Sequence, residues 1–144
     1  MFRHILLASD GSELSGRAAD AAIGMAHGLG ARFSVYTSQA AYSLSPFSEV
    51  VVEAPDDFAE RCAQAAQRVL NDVVARARRV GIDCTTHTSV CEAPYLGIVE
   101  TAETEGCDLI VMASQGRHGL GSLLLGSETK RVLSHSRVPV LVYR

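Results

Sequence analysis

Hydrophobic residues in this chain follow two alternating patterns. Short segments that are apolar, or that alternate apolar with polar positions, predict β-strands at residues 5–9, 33–37, 82–90, 108–113 and 138–143. Between them, apolar residues recur three or four positions apart, which is typical of helices that bury one face. The predicted order of elements is therefore βαβαβαβαβ.

Four helices connect the predicted strands. Ser12 is the predicted N-cap of the first, the second begins at Asp56 or Asp57, the third at Pro94 and the fourth at Ser127. Alternating strands and helices imply a parallel sheet with right-handed crossovers and helices on both faces. With 144 residues and neither an internal repeat nor a linker, the chain is predicted to form one α/β domain.

Residues 38–55 are the least regular part of the chain. They are polar, they contain Pro46 and Pro55, and they show no helical period before Asp56. The segment is predicted to be a long loop. Such a loop is either functional and mobile or a variable connection without a role.

The charge pattern bears on the choice of partners. Five arginines lie on or beside the outer face of the second helix, at positions 61, 68, 76, 78 and 79. They form either a patch that binds nucleic acid or a face that is simply exposed to solvent. A net charge of −3 disfavours nucleic acid or an anionic membrane as the main partner. No apolar run approaches the roughly 18 residues of a membrane helix, and the apolar part of the N-terminus, which ends before Asp10, is too short for a signal peptide. We expect a cytoplasmic protein.

Cysteines and histidines show no spacing that indicates a metal or redox centre. The four cysteines form no CxxC pair, so they are predicted to be reduced and mostly buried thiols. The five histidines show no HxxxH or HExxH spacing. We therefore expect no metal site.

The stretch from Leu109 to Leu133 indicates a phosphate site. An apolar strand to Ala113 leads into a loop with four glycines, at 116, 119, 121 and 126, and then into a helix near Ser127. Glycines allow close approach of the backbone to a ligand. The free N–H groups and the positive end of the helix dipole favour an anion there.

This stretch also resembles the nucleotide loop of the universal stress protein family. That pattern is a glycine, two residues, a second glycine, nine residues, and a glycine followed by Ser or Thr. Here Ser114-Gln115-Gly116-Arg117 is followed by Gly126-Ser127 at the family spacing, with Ala113 in place of the first glycine. The resemblance extends from Ile5 to Tyr143.

The resemblance implies a Rossmann-like fold of the adenine nucleotide alpha hydrolase type, with five parallel strands in the order 3-2-1-4-5. The switch between strands one and four would then form a ligand crevice at the carboxyl ends of the strands. The family binds an adenine nucleotide there, ATP or AMP, with or without Mg²⁺. The matching positions are Ala8, Ser9, Asp10, Ser38, Met112, Ala113, Ser114, Gly116, Arg117, Gly126, Ser127 and Glu128.

Two matching residues have alternative roles. Asp10 would accept hydrogen bonds from the ribose or adenine, or it caps its own turn. Ser127 would donate to a β- or γ-phosphate, or it serves as the helix N-cap, and both roles can hold together. The other loop residues would act mostly through backbone N–H groups.

Three departures from the family pattern affect the expected binding. Ala113 costs little if its φ is negative and blocks the site if φ is positive. Thr37-Ser38 stands where the family has His-Val, so Ser38 offers less apolar surface to the base. Gln115 replaces a frequent histidine.

The resemblance implies a regulatory stress-response protein with an unknown protein partner. No P-loop and no base–nucleophile pair is evident, and His118 either touches phosphate or is solvated. Little or no turnover is expected. The alternatives are an interaction module that does not bind nucleotide and a slow ATPase.

The last strand, from Val138 to Tyr143, predicts a homodimer. It is almost wholly apolar, yet the implied strand order leaves it at a sheet edge, which invites pairing with another chain. Pro139 limits this pairing to the later residues. The alternative is that the strand is covered by the chain's own helices.

Overall fold

The computed structural model describes residues 1–43, 53–116 and 124–144. Within them, strands and helices alternate as predicted. The strands are β1 (His4–Ala8), β2 (Arg32–Ala40), β3 (Cys84–Cys91), β4 (Leu109–Ala113) and β5 (Val140–Tyr143). The helices are α1 (Glu13–Leu29), α2 (Pro55–Val80), α3 (Pro94–Thr104) and α4 (Ser127–His135).

The five strands form one parallel sheet in the order β3-β2-β1-β4-β5. The predicted α/β class and strand order are therefore confirmed. β1 and β4 lie at the centre and are buried along their whole length. Their apolar runs reflect burial on both faces, because helices cover each side of the sheet.

Alternate residues of β1 serve two separate cores. Ile5 and Leu7 pack with the buried alanines of α1 and with Leu70 of α2. Leu6 and Ala8 pack on the opposite face, with Ile98 of α3 among others. Alanines 18, 19, 22 and 26 of α1 are buried and small, so this helix lies close to the sheet. The alternation places α1 and α2 on one face and α3 and α4 on the other.

The second strand is longer than predicted, and the predicted loop begins too early. Ser38 pairs with Ser89 and Ala40 pairs with Cys91, so residues 38–40 continue β2. α2 begins at Pro55 rather than at Asp56 or Asp57. The strand extension was missed because Ser38-Gln39-Ala40 shows no apolar run and its pairing with β3 is a long-range contact. Residues 44–52, the middle of the predicted loop, lie outside the described residues.

One of the arginines predicted for the outer face of α2 reaches another helix. Arg76 Nη1 lies 2.9 Å from Asp20 Oδ1 of α1, and Arg76 Nε lies 2.8 Å from Asp72 Oδ2. Gly16 of α1 leaves room for it, since a Cβ there would lie 3.1 Å from Arg76 Nη2. Arg76 therefore ties α1 to α2.

The cysteines are free thiols, but they are less buried than predicted. Only Cys107 is buried, while Cys62, Cys84 and Cys91 are half-buried. Burial raises the pKa of the Cys84 and Cys107 thiols to about 11, which keeps them protonated at neutral pH. No helix within the described ranges is long and apolar enough to cross a membrane.

Candidate functional site

A cavity of about 370 Å³ opens at the carboxyl ends of the central strands. β1 leads into α1 on one face and β4 leads into α4 on the other, so the cavity lies where the chain paths diverge. Its volume falls within the range of about 300–1,000 Å³ typical of small-molecule sites. Ten predicted site residues border it: Ala8, Ser9, Asp10, Ser38, Met112, Ala113, Gly116, Gly126, Ser127 and Glu128.

The turn after β1 holds Asp10 at the cavity. Its Oδ1 accepts a hydrogen bond from the Ser12 N–H at 2.9 Å. Gly11 adopts a φ of 76°, and Ser12 caps α1 by accepting from the Ser15 N–H at 3.2 Å. Ser9 Oγ and Ser15 Oγ lie 2.6 Å apart beneath the turn. Asp10 thus does stabilise its own turn, and the same turn presents its carboxylate to the cavity.

Ala113 is compatible with the backbone at the end of β4. It belongs to the strand, and no non-glycine residue in the described ranges has a positive φ. The methyl group that replaces the family's first glycine therefore causes no backbone strain.

Gly116 packs closely against the Asp10 side chain. A Cβ at Gly116 would lie 2.6 Å from Asp10 Oδ2. Gly126 differs, because its φ is −60° and its Cβ would meet the Ser114 carbonyl oxygen at an ordinary 3.4 Å. The Gly126 N–H donates to that same carbonyl at 2.7 Å and brings the two ends of the loop together.

The N-terminus of α4 faces the cavity. Gly126 is the N-cap and Ser127 is the first helical residue, so the prediction that Ser127 caps the helix is wrong. Thr129 is buried and donates its hydroxyl to the Ala113 carbonyl at 3.0 Å, which ties α4 to the end of β4. The first N–H groups of a helix lack intrahelical acceptors, so this end favours an anion.

Two predicted residues are not on the described border of the cavity. Ser114 is buried, and its N–H donates to the Tyr143 carbonyl at 2.7 Å. Arg117 lies outside the described residues, as does His118.

The cavity combines an apolar interior with a polar rim. Ala8, Ile98 and Met112 are buried apolar residues on its lining. The described part of the chain contains no cluster of three His, Cys, Asp or Glu side chains able to hold a metal ion. The lining suits a ligand with a flat apolar ring, hydroxyl groups and an anionic group.

Comparisons with known proteins agree with this arrangement. The family model described as the universal stress protein family matches residues 1–144. The chain belongs to the universal stress protein family. A universal stress protein of Methanocaldococcus jannaschii is 33% identical, over 100% of this chain and 83% of the relative. The universal stress protein YxiE of Bacillus subtilis is 30% identical, over 100% of both chains.

A solved universal stress protein in complex with cAMP has the same architecture. It superposes with a TM-score of 0.72 at 26% sequence identity, over 99% of this chain and 97% of that chain. The family expected from the glycine spacing is thereby confirmed.

Several residues that border the cavity of this universal stress protein were missed from the sequence. They are Ser15, Tyr36, Pro94, Ile98, Gln115 and Thr129, of which Gln115 was noted only as a departure from the family pattern. Pro94 and Ile98 carried a signal, since the start of α3 must lie at the same edge of the sheet as the end of β3. Alternation along β2 also places Tyr36 on the same face as Ser38.

Tyr36 forms a rigid part of the wall. Its hydroxyl lies 2.8 Å from Ser89 Oγ and 3.5 Å from Cys91 Sγ on β3. Burial raises the pKa of Tyr36, so the phenol stays neutral. A Cβ at Gly97 of α3 would collide with the Tyr36 hydroxyl. A glycine at position 97 is therefore needed for α3 to approach the sheet here.

Proposed function

We propose that this universal stress protein binds an adenine nucleotide in the cavity at the carboxyl ends of β1, β2 and β4, and that occupancy serves a regulatory role in the stress response. One observation carries the proposal: the Asp10 carboxylate and the N-terminus of α4 border the same cavity. A carboxylate suits ribose hydroxyl groups, and a helix N-terminus suits phosphate.

The proposed pose follows from the chemistry of the lining. The base lies against the apolar residues Ala8, Met112 and Ile98 near Ser38, and the ribose hydroxyls donate to Asp10. The phosphates approach the backbone N–H groups of α4, where Ser127 adds a hydroxyl. Ser9, Ala113, Ser114, Gly116, Arg117, Gly126 and Glu128 complete the proposed site. Its relative solved with cAMP at 26% identity supports the choice of an adenine nucleotide.

Little or no turnover is part of the proposal. Ser9 and Ser15, the two hydroxyls in closest contact at the cavity, hydrogen-bond each other at 2.6 Å. A serine nucleophile needs a neighbouring base, and neither hydroxyl supplies one to the other. A slow ATPase is the alternative, and release of phosphate from ATP at rates above the background would favour it.

Calorimetric titration of the nucleotide-stripped protein tests the proposal. ATP, ADP, AMP and cAMP are titrated separately, with and without Mg²⁺, and GTP serves as the control for the base. At least one adenine nucleotide is expected to bind at one site per chain with a micromolar to submillimolar Kd, and GTP is expected to bind more weakly. If none of the four binds at millimolar concentration, the alternative of a nucleotide-independent interaction module is favoured.

We also propose that the protein is a homodimer paired through β5. This strand pairs only with β4 among the described strands, and its residues Val140–Tyr143 remain half-exposed in the single chain. A twofold axis would set the two β5 strands antiparallel and cover this edge. Sedimentation should give a dimer for the parent protein and a monomer for the double variant Val140→Lys, Val142→Lys. A monomeric parent at micromolar concentration would refute the dimer.

A further inference from the structure

The charged side chains on the described border of the cavity are both acidic. They are Asp10, at the end of β1, and Glu128, in the first turn of α4. Asp10 faces the proposed ribose, whereas Glu128 belongs to the helix whose N-terminus would hold the phosphates. A carboxylate at a phosphate site is electrostatically unfavourable, so its position calls for a physical explanation.

Glu128 is held in place by the neighbouring helix. Its Oε2 accepts a hydrogen bond from the Tyr95 backbone N–H at 2.8 Å. Tyr95 lies in the first turn of α3, whose N-cap residue, Ala93, has no side-chain acceptor. Glu128 therefore supplies the acceptor that the N-cap of α3 lacks, and the positive end of the α3 dipole favours its negative charge.

A second contact fixes the other carboxylate oxygen. Arg131 Nη1 lies 3.1 Å from Glu128 Oε1, and the Arg131 guanidinium lies 5.6 Å from the centroid of the Tyr95 ring. The Arg131 side chain is 52% exposed while that of Glu128 is 30% exposed. Glu128 borders the cavity whereas Arg131 does not, so the carboxylate is the member of this ion pair that lies on the cavity side.

We propose that Glu128 is a specificity-determining residue that selects nucleotides with a short phosphate group. The inference rests on the proposed nucleotide site and deepens it. One phosphate gains from the N–H groups of α4. Each further phosphate adds negative charge near the Glu128 carboxylate. Hydrogen bonds from the Tyr95 N–H and from Arg131 hold this carboxylate in place. A monophosphate or cyclic monophosphate is therefore favoured over a triphosphate that lacks a metal ion.

The test compares ATP and AMP binding to the parent protein and to Glu128→Gln, by calorimetry in the presence of EDTA. Glutamine keeps an oxygen that accepts from the Tyr95 N–H and removes the charge. The affinity for ATP should rise about three- to tenfold in the variant, and the affinity for AMP should change less. The ratio of the two Kd values isolates the electrostatic effect, since a loss of packing between α3 and α4 would weaken both ligands alike.

Glu103→Gln is the matched control. It removes the same charge from the exposed last turn of α3, about 12 Å along the helix from Tyr95. Its Kd ratio should equal that of the parent.

The parent protein provides an independent measurement. Without Mg²⁺ it should bind AMP or cAMP at least as tightly as ATP, and a parent that clearly prefers metal-free ATP would overturn the inference. An unchanged Kd ratio in Glu128→Gln would also overturn it, while leaving the proposed nucleotide site intact. Absence of binding by the parent to any of these nucleotides would instead overturn the proposed function, and this inference with it.

Discussion

The two ends of the central strand pair β1–β4 are built for different tasks, and each has an aspartate. At the amino end, Asp108 precedes β4 and its carboxylate accepts from the backbone of the neighbouring strand. Oδ2 lies 2.8 Å from the Arg3 N–H, and Oδ1 lies 2.9 Å from the His4 N–H. At the carboxyl end, Asp10 follows β1 and borders the cavity.

The aspartate at the amino end only joins neighbouring strands, whereas Asp10 stabilises its own turn and also borders the cavity. Burial alone would raise the pKa of Asp108, but the His4 and Arg3 N–H groups outweigh it and hold that pKa below its usual range. The Asp108 carboxylate thus joins the start of β4 to the start of β1 through these two hydrogen bonds. At the opposite end the strands lead to helices on different faces, so the gap between them stays open as a cavity.

Loss of Asp108 should have the largest effect on stability. Asp108→Ala leaves the Arg3 and His4 N–H groups without their acceptor, which should lower the free energy of unfolding by about 2 kcal/mol. Denaturant unfolding measures this. Asp83→Ala is the control, because Asp83 precedes β3 in the same way but is exposed. Equal losses in the two variants would contradict the account, and nucleotide affinity should be unchanged in both.

A methyl group at position 116 should weaken nucleotide binding at the carboxyl end of the sheet. Gly116→Ala places a Cβ 2.6 Å from Asp10 Oδ2, so the carboxylate must move. Nucleotide affinity is expected to fall about tenfold, which corresponds to the lower part of the roughly 1–3 kcal/mol that overpacking costs. Gly24→Ala, in the middle of α1, has open space around its Cβ and should bind like the parent. Unchanged affinity in Gly116→Ala would place the ligand away from Asp10.

Neutralising Asp10 should weaken binding and spare stability. In Asp10→Asn the side-chain oxygen still accepts from the Ser12 N–H, so the turn is kept. The charge-assisted hydrogen bonds to the ribose are lost, which should lower nucleotide affinity about fivefold. Calorimetry and thermal unfolding on one sample separate the two effects. A large loss of thermal stability with normal affinity would reverse the roles assigned to Asp10 and Asp108.

The smallest expected effect is a pH dependence at the amino end, through His4. This histidine is 3% exposed, and its Nε2 lies 2.7 Å from Ser34 Oγ. Burial, and then the charge of Arg32, lower the pKa of His4 below 6.5. The unfolded chain therefore binds a proton more readily, so stability is fully present above about pH 6.5 and is lost as the pH falls.

The His4 contribution to stability should decrease between pH 7.5 and pH 5.5. Denaturant unfolding of the parent and of His4→Gln at both values measures it by difference. His4→Gln should show a smaller decrease than the parent. An equal decrease in the two proteins would assign the pH dependence to other groups.

Local patterns in the sequence predicted the central features well. The apolar runs of β1 and β4, and the spacing of Gly116 and Gly126, can be recognised within short stretches of the sequence. What escaped prediction depends on contacts between distant parts of the chain. The end of β2, Ser38-Gln39-Ala40, has no apolar run, and its pairing with the edge strand β3 is not visible in the local sequence.

The same holds for the walls of the cavity. The contact of Gly97 with Tyr36 and the hydrogen bond from Tyr95 to Glu128 join elements far apart in sequence. Neither residue type indicates its partner, because glycine and glutamate occur in many unrelated settings. Tertiary packing decides these contacts.

Adenine-nucleotide binding at the carboxyl end of the sheet is the proposal on which the other predictions depend. Titration of ¹⁵N-labelled protein with AMP, followed by amide chemical shifts, tests it most directly. The largest shift changes are expected at the amides of Asp10, Gly116 and the first turn of α4, whereas those of Arg3, His4 and Asp108 should stay nearly unchanged. Shift changes centred on the amino end, or none at saturating AMP, would contradict the proposal.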